Sequence, residues 1–166
     1  MITVIIIRAV TPGDAGLLLS WRNDPETRVA SLSSASVDWE THVAWLTRTL
    51  SDPLRTLYIG EVGGTAIGTV RFDQDEAGAA EVSITVAPAQ RGRRLSLPLL
   101  RAGMATYAAA HPSTTNVIAR VREENTASRS LFAAGGFTEM DRSADGVIRM
   151  TSAPATSTQL SGEGPN

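Results

Sequence analysis

The stretch Val86-Ala87-Pro88-Ala89-Gln90-Arg91-Gly92-Arg93-Arg94-Leu95-Ser96 reads as the end of a strand, a tight loop and the start of a helix. Ahead of it, Val82, Ile84 and Val86 alternate with Glu81, Ser83 and Thr85, the period of a half-buried strand. This predicts a strand over Ala80 to Val86. Behind the loop, Leu95 to Ala110 predicts a helix, alanine-rich after Pro98. The first N–H groups of a helix have no intrahelical partners, and the macrodipole puts partial positive charge there. Such an end receives an anion, and Arg91, Arg93 and Arg94 would add charge-assisted bonds to phosphate oxygens. A solvated basic turn would carry the same residues, so the stretch alone leaves both readings open.

Outward from this loop, the N-terminal side begins with Ile2 to Arg8, rich in β-branched residues and predicted as a strand. Thr11 is placed to cap a helix with Pro12 at its first position, and Ala15 to Arg22 forms its body, ending near Asn23-Asp24-Pro25. Ser36 is placed to cap a second helix through about Leu50, with Trp39, Val43, Leu46 and Leu50 at helical spacing. Leu57 to Val62 and Ala66 to Phe72 read as strands joined by the hairpin pair Gly63-Gly64. On the C-terminal side come a strand over Asn116 to Val121 and a helix over Thr126 to Ala134. Phe137 to Arg142 and Gly146 to Met150 close the order as a hairpin.

This order predicts an α/β fold: a mixed, mostly antiparallel twisted sheet with helices on both faces. At 166 residues the chain is long enough for one self-standing domain. That domain is expected over residues 1–151, with 152–166, made largely of Ser, Thr, Gly and Pro, as a flexible tail. Hydrophobic residues at 42% and charged residues at 19% exclude a disordered chain. The absence of cysteine excludes a disulfide framework and a thiolate nucleophile. His42 and His111 alone are too few for a histidine metal cluster, so no metal is expected. A net charge of −2 argues against a nucleic-acid partner. All of the basic residues are arginine, which fits a genomic composition bias as well as any function. The apolar start lacks a charged leader and cleavage site, and no apolar run reaches the roughly 20 residues of a membrane span. A soluble, cytoplasmic chain without a membrane partner is therefore expected.

The strand–loop–helix resembles the GNAT superfamily of acetyl-coenzyme A-dependent N-acetyltransferases. Its signature is a strand, then Gln/Arg-x-x-Gly-x-Gly/Ala, then a helix that holds the cofactor pyrophosphate. Val86, Pro88, Arg91 and Gly92 match, whereas the two later glycine positions fall on Arg94 and Ser96. Glycine there would let a phosphate approach the backbone closely; Ser96 can cap the helix or donate its hydroxyl. A second segment, Asn125-Thr126-Ala127-Ser128-Arg129-Ser130-Leu131-Phe132-Ala133-Ala134-Gly135-Gly136-Phe137, resembles the family's Asn-x-x-Ala/Ser-x-x-Leu-Tyr/Phe-x-x-x-Gly-Phe. There Asn125 caps the helix, Leu131 and Phe132 pack inward, and Gly135 or Gly136 stops it. The resemblance covers about residues 1–150 in element order. It implies acetyl-CoA as cosubstrate, held by Val86, Ala87, Gln90, Arg91, Gly92, Arg93, Arg94, Leu95, Ser96, Asn125, Ser128 and Phe132.

Acetyl transfer to an amine needs a neutral nucleophile, a donor for the thioester oxygen and a route for the leaving thiolate. Even an α-amino group titrates at about 7.7–8.0, so a base must take its proton. Glu81 fits that role as well as it fits a solvent-facing strand carboxylate; it also matches an acidic position seen in relatives. His42, one turn from Trp45, is the second candidate base, or a packing residue. The resemblance implies a bulge in the strand near Val86 or Ala87 that frees an N–H for the oxygen. Where many relatives have a tyrosine to protonate the thiolate, this chain has Phe132.

For the acceptor, Trp21-Arg22-Asn23-Asp24 and His42-Val43-Ala44-Trp45 resemble the subgroup acting on nucleotide-linked amino sugars in pseudaminic-type pathways. That resemblance implies Trp21, Arg22, Asn23 and Trp45 in the acceptor cleft, with arginine forked onto a phosphate and an aromatic face stacked on a base or sugar. Trp21 and Trp45 as core anchors is the competing reading. Ribosomal-protein N-acetyltransferases share the opening loosely. The expected partner is thus a small-molecule amine, with a protein amino terminus or a non-catalytic coenzyme A-binding module as alternatives and a homodimer left open.

Overall fold

Fourteen consecutive short elements alternate along the chain, and the computed structural model describes them within residues 2–152. Strand β1 (Ile6–Ala9) leads through a 3-10 turn at Pro12–Asp14 to helices α1 (Ala15–Arg22), α2 (Pro25–Ala30) and α3 (Trp39–Ser51). Three antiparallel strands follow: β2 (Arg55–Val62), β3 (Thr65–Gln74) and β4 (Ala80–Val86). A 3-10 turn at Pro88–Gln90 then enters α4 (Ser96–Ala110). Strand β5 (Val117–Arg122), helix α5 (Thr126–Ala134) and the hairpin β6 (Thr138–Arg142) and β7 (Val147–Ser152) complete the order.

The seven strands form one sheet in the order β1-β2-β3-β4-β5-β7-β6, and β4–β5 is its parallel pair. Helices cover both faces, as the element order predicts. On one face α4 lies over Val70, Phe72 and Val82, with Leu99, Leu100 and Tyr107 buried against them. Phe72 stacks on Tyr107 at 4.1 Å between ring centroids. The helix comes close because position 103 is glycine: a Cβ there would stand 2.9 Å from Val70 Cγ2. On the other face Leu18, Trp21 and Leu46 of α1 and α3 pack on Leu57, Ile59 and Ala87.

Several boundaries differ from the sequence expectation, each for a local reason. β1 starts at Ile6 rather than Ile2, because its partner β2 ends at the Gly63-Gly64 turn just beyond Glu61, which faces Ile6. Residues 25–30 form a further helix, starting where the sequence pattern places the end of α1 and assigns no new element. Asp24 caps it by accepting from Thr27 N–H, with Pro25 at its first position. Asp38, not Ser36, caps α3, accepting from Thr41 N–H at 2.8 Å. The inward stripe of α3 is His42, Leu46 and Thr49; Trp39 and Leu50 face solvent. Ser96 is the first residue of α4 rather than its cap, and Leu95 in the cap position offers no side-chain bond. Gly136, at φ +92°, takes the left-handed turn after α5.

Ser152 closes β7, pairing with Val117, so the tail expected from 152 begins inside the sheet, and its remainder lies outside the described residues. No helix among the described residues is long and apolar enough to cross a membrane.

Candidate active site

The registers set the site. β4 and β5 run parallel but pair only at Ala80 with Val117 and Glu81 with Ile118, while both strands continue beyond that point. The unpaired remainder of β4 borders a cavity of about 630 Å³ that reaches from α1 and α3 to Ser96 and α5. Ala87 N–H donates to Ile67 O at 2.8 Å and Ala80 N–H donates to Asn116 O at 3.0 Å. Alternation along an antiparallel pair then turns the N–H and C=O of Ile84 and Val86 away from β3, toward the open side.

This corrects the expected oxyanion donor in two respects. The β3–β4 register runs unbroken from Gly68–Val86 to Gln74–Ala80, so β4 carries no bulge. Ala87 N–H is consumed by the sheet and Ala87 is buried among the α1–α3 core residues. Val86 N–H reaches the open side by strand alternation instead.

In the loop, Gly92 has φ +75° with open space where a Cβ would stand, and Arg94 has φ +57°. Arg94 therefore takes the left-handed backbone expected of glycine at that place, at a cost of about 1–2 kcal/mol, and its side chain points out to solvent. Arg93 is also exposed and donates to Gln90 Oε1 at 2.8 Å. Arg91 is held elsewhere: its Nη2 donates to Asp24 Oδ2 at 2.6 Å and Thr27 Oγ1 at 2.8 Å, and its Nη1 lies 3.1 Å from Glu26. In this structure Arg91 fastens the loop to the start of α2 rather than pointing free toward a phosphate. The Arg91 guanidinium is also the main reason the Asp24 carboxyl sits below its usual range.

The residues present fit the pyrophosphate end of a coenzyme. An uncapped helix start offers Ser96 and Leu97 N–H, Pro98 has none to satisfy, and the open side of Gly92 leaves room for phosphate oxygens. From α5, Asn125, Ser128 and Phe132 border the same cavity. Asn125 Oδ1 is occupied as the cap, accepting from Ser128 N–H at 3.1 Å, and Phe132 is 4% exposed and packs edge-on against Phe137.

On the face of β3 and β4 away from α4, side chains form a polar ladder: Thr69 opposite Thr85, Arg71 opposite Ser83, Asp73 opposite Glu81. Two carboxylates directly opposite each other destabilise a sheet. Here Arg71 lies 3.1 Å from Asp73 and Arg120 lies 3.9 Å from Glu81, offsetting the repulsion. The Glu81 side chain remains 34% exposed, open to a ligand.

His42 also borders the cavity but is 1% exposed. Its Nε2 lies 2.9 Å from Ala15 O, a group that only accepts, so Nε2 carries the proton and Nδ1 is the bare nitrogen. Burial pushes its pKa down, and Arg22 pushes the same way against the Ala15 contact. His42 thus joins α3 to α1 as a neutral ring. Trp21 is a core residue that also borders the cavity. Asn23 does not border it, contrary to expectation: its amide clamps Val37, donating to the carbonyl at 2.8 Å and accepting from the N–H at 2.9 Å. Trp45 borders the cavity with its ring covered by two guanidiniums, Arg22 at 5.6 Å and Arg71 at 6.0 Å. Arg71 and Arg120 were missed by the sequence reading, although both occupy polar positions of an alternating strand.

A parallel strand pair that parts beside an uncapped, glycine-turned helix start is the architecture of a coenzyme A-dependent acyltransferase. The sequence matches the Acetyltransferase (GNAT) domain over residues 5–138, and the chain belongs to that family. It is an N-acetyltransferase by family, with acetyl-CoA as cosubstrate. No curated protein sequence matches the chain significantly. Among solved structures, spermidine N-acetyltransferase from Vibrio cholerae, in complex with CoA and spermine, superimposes with a TM-score of 0.81 at 17% identity, covering 90% of this chain and 95% of that one. A domain from Methanocaldococcus jannaschii gives 0.78 at 22% identity over 92% and 99%. Aminoglycoside acetyltransferase AAC(6')-Ib with coenzyme A gives 0.76 at 18% identity over 90% and 95%. At these identities the likeness is one of fold.

Proposed function

We propose that the cavity performs direct acetyl transfer from acetyl-CoA to the primary amine of a small molecule, with Glu81 as the base. The observation that carries this reading is the early end of the β4–β5 pairing, which leaves Ile84 and Val86 backbone groups facing a coenzyme-sized cleft above the α4 start. The loop Gln90–Ser96 and the first turn of α4 hold the pyrophosphate, and the open edge of β4 receives the amides of the pantetheine arm. Bound there, acetyl-CoA supplies the acetyl thioester. Ile84 N–H, on the same open edge and nearer Glu81 than Val86 is, donates to the carbonyl oxygen as charge develops on it. Glu81, through a water, takes the proton of the attacking ammonium, so that nitrogen attacks as the free base. Phe132 has no hydroxyl to give, so the departing thiolate is protonated by solvent.

Two of the structures the chain resembles are a spermidine N-acetyltransferase and an aminoglycoside acetyltransferase, which supports an amine acceptor. The first candidate is a nucleotide-linked amino sugar, supported by the sequence likeness around Trp21–Asp24 and His42–Trp45; a protein amino terminus is the second. Thiol release with acetyl-CoA and a panel of amino-sugar nucleotides, peptides, polyamines and aminoglycosides tests the reading. Turnover with at least one amine is expected. Phe132 favours a second reading, a coenzyme A-binding module without catalysis: thermal protection by coenzyme A with no acetylation of any amine would select it.

A further inference from the structure

Arg22 is the one guanidinium bordering the cavity with no carboxylate partner among the described residues. The other three are paired: Arg71 with Asp73, Arg91 with Asp24 and Glu26, Arg120 with Glu81. Arg22 is half-buried and shares the Trp45 ring with a second guanidinium, that of Arg71. The Arg71–Asp73 contact is itself poorly aligned, with Arg71 Nε buried and making no hydrogen bond. Two guanidiniums gathered over one indole repel each other, and cation–π attraction offsets this only in part. His42, beneath them, is neutral and adds no negative charge.

We propose that Arg22, Arg71 and Trp45 form a seat for an anionic group carried by the acceptor, so that the amine substrate is an anion-bearing molecule rather than a polycation. This rests on the transferase reading and narrows it. Arg71 faces Ser83, and Glu81 is the next outward-facing residue along β4. Diagonal neighbours of this kind lie about 7–8 Å apart, so the acceptor presents its amine to Glu81 while its phosphate or carboxylate reaches Arg22 and Arg71. The guanidiniums already cover the Trp45 ring, which makes charge, not stacking on a base, the recognition element. A polyamine or aminoglycoside would bring positive charge against the unpaired Arg22.

The test is calorimetric binding at low salt, with coenzyme A present, of glucosamine, glucosamine 6-phosphate, uridine-diphosphate-linked glucosamine and spermine. The same amines are assayed for thiol release. The wild type should bind the phosphate-bearing amines at least tenfold more tightly than glucosamine, with spermine weakest. Arg22→Gln should remove that advantage, bringing the phosphate-bearing amines to the affinity of glucosamine in the same variant; Arg71→Gln should reduce it, and Arg22→Lys should keep part of it. Tighter binding of spermine than of any phosphate-bearing amine overturns the seat. So does a phosphate advantage that survives in a folded Arg22→Gln protein, one that is undiminished in a folded Arg71→Gln protein, or no binding of any anionic amine. The predicted binding order without thiol release from any amine upholds the seat and overturns the transferase reading instead.

Discussion

The two faces of β3 and β4 divide the work of the molecule. Toward α4 the strands present Val70, Phe72 and Val82, closed under the helix with no measurable access at Val70 or Phe72. Toward α1 and α3 the intervening positions present Thr69, Arg71, Asp73, Glu81, Ser83 and Thr85, bordering or lying beside an open cleft. One backbone serves both because successive side chains point to opposite sides. Stability and chemistry are therefore separable here residue by residue, so substitutions one position apart along a strand should have opposite signatures.

The largest effect is expected on the closed face. Phe72→Ala leaves a cavity beneath Tyr107 and should cost about 3–5 kcal/mol, read as a lowered midpoint in denaturant; a loss under 1 kcal/mol would mean the helix collapses onto the gap. On the open face Glu81→Gln should leave the melting temperature and coenzyme A binding nearly unchanged while lowering turnover at neutral pH by about 10²-fold or more. If turnover holds, Glu81 is not the base and the open face carries less of the chemistry. Arg94→Gly relieves the left-handed backbone strain. Net of the greater freedom of glycine in the unfolded chain, it should stabilise the protein by about 0.5–1 kcal/mol. It should also tighten coenzyme A binding.

The smallest effect lies outside both faces. Arg8 donates two bonds to Asp14, at 2.9 Å each, and holds its carboxyl at about 2 against an ordinary 3.8. A carboxyl depressed in the folded state contributes stability that is present above pH 3.8 and lost as pH falls toward 2. Asp14→Asn should therefore lower stability modestly at pH 7 and flatten the acid limb of the profile, the difference from the wild type vanishing as pH falls toward 2. An unaltered acid limb would show that Arg8 and Asp14 are held apart in solution.

Much of this frame is legible in the sequence because strand alternation and helix punctuation are local. Ala80–Val86 and Thr126–Ala134 fall where their patterns put them, and Asn125 caps as its residue type suggests. Side-chain partners were not legible, since they depend on which distant element arrives. Nothing beside Arg91 in sequence announces Asp24, 67 residues away. Asn23 reads as a cleft residue until Val37 is seen folded back on it. The helix at 25–30 is in principle readable from Asp24-Pro25, a capping pair that stands where the expected α1 ends. Arg71 and Arg120 carried a weaker signal, a charge at the polar beat of an alternating strand.

Arg91 grips Asp24, Glu26 and Thr27 from one side, and Arg122 donates to the carbonyls of Ser31 and Leu32 from the other. The segment between is thus stapled across the crevice by two arginines that belong to other parts of the chain. Anyone grafting a foreign specificity loop onto this scaffold must transplant its fasteners as well, or the new loop will hang unmoored.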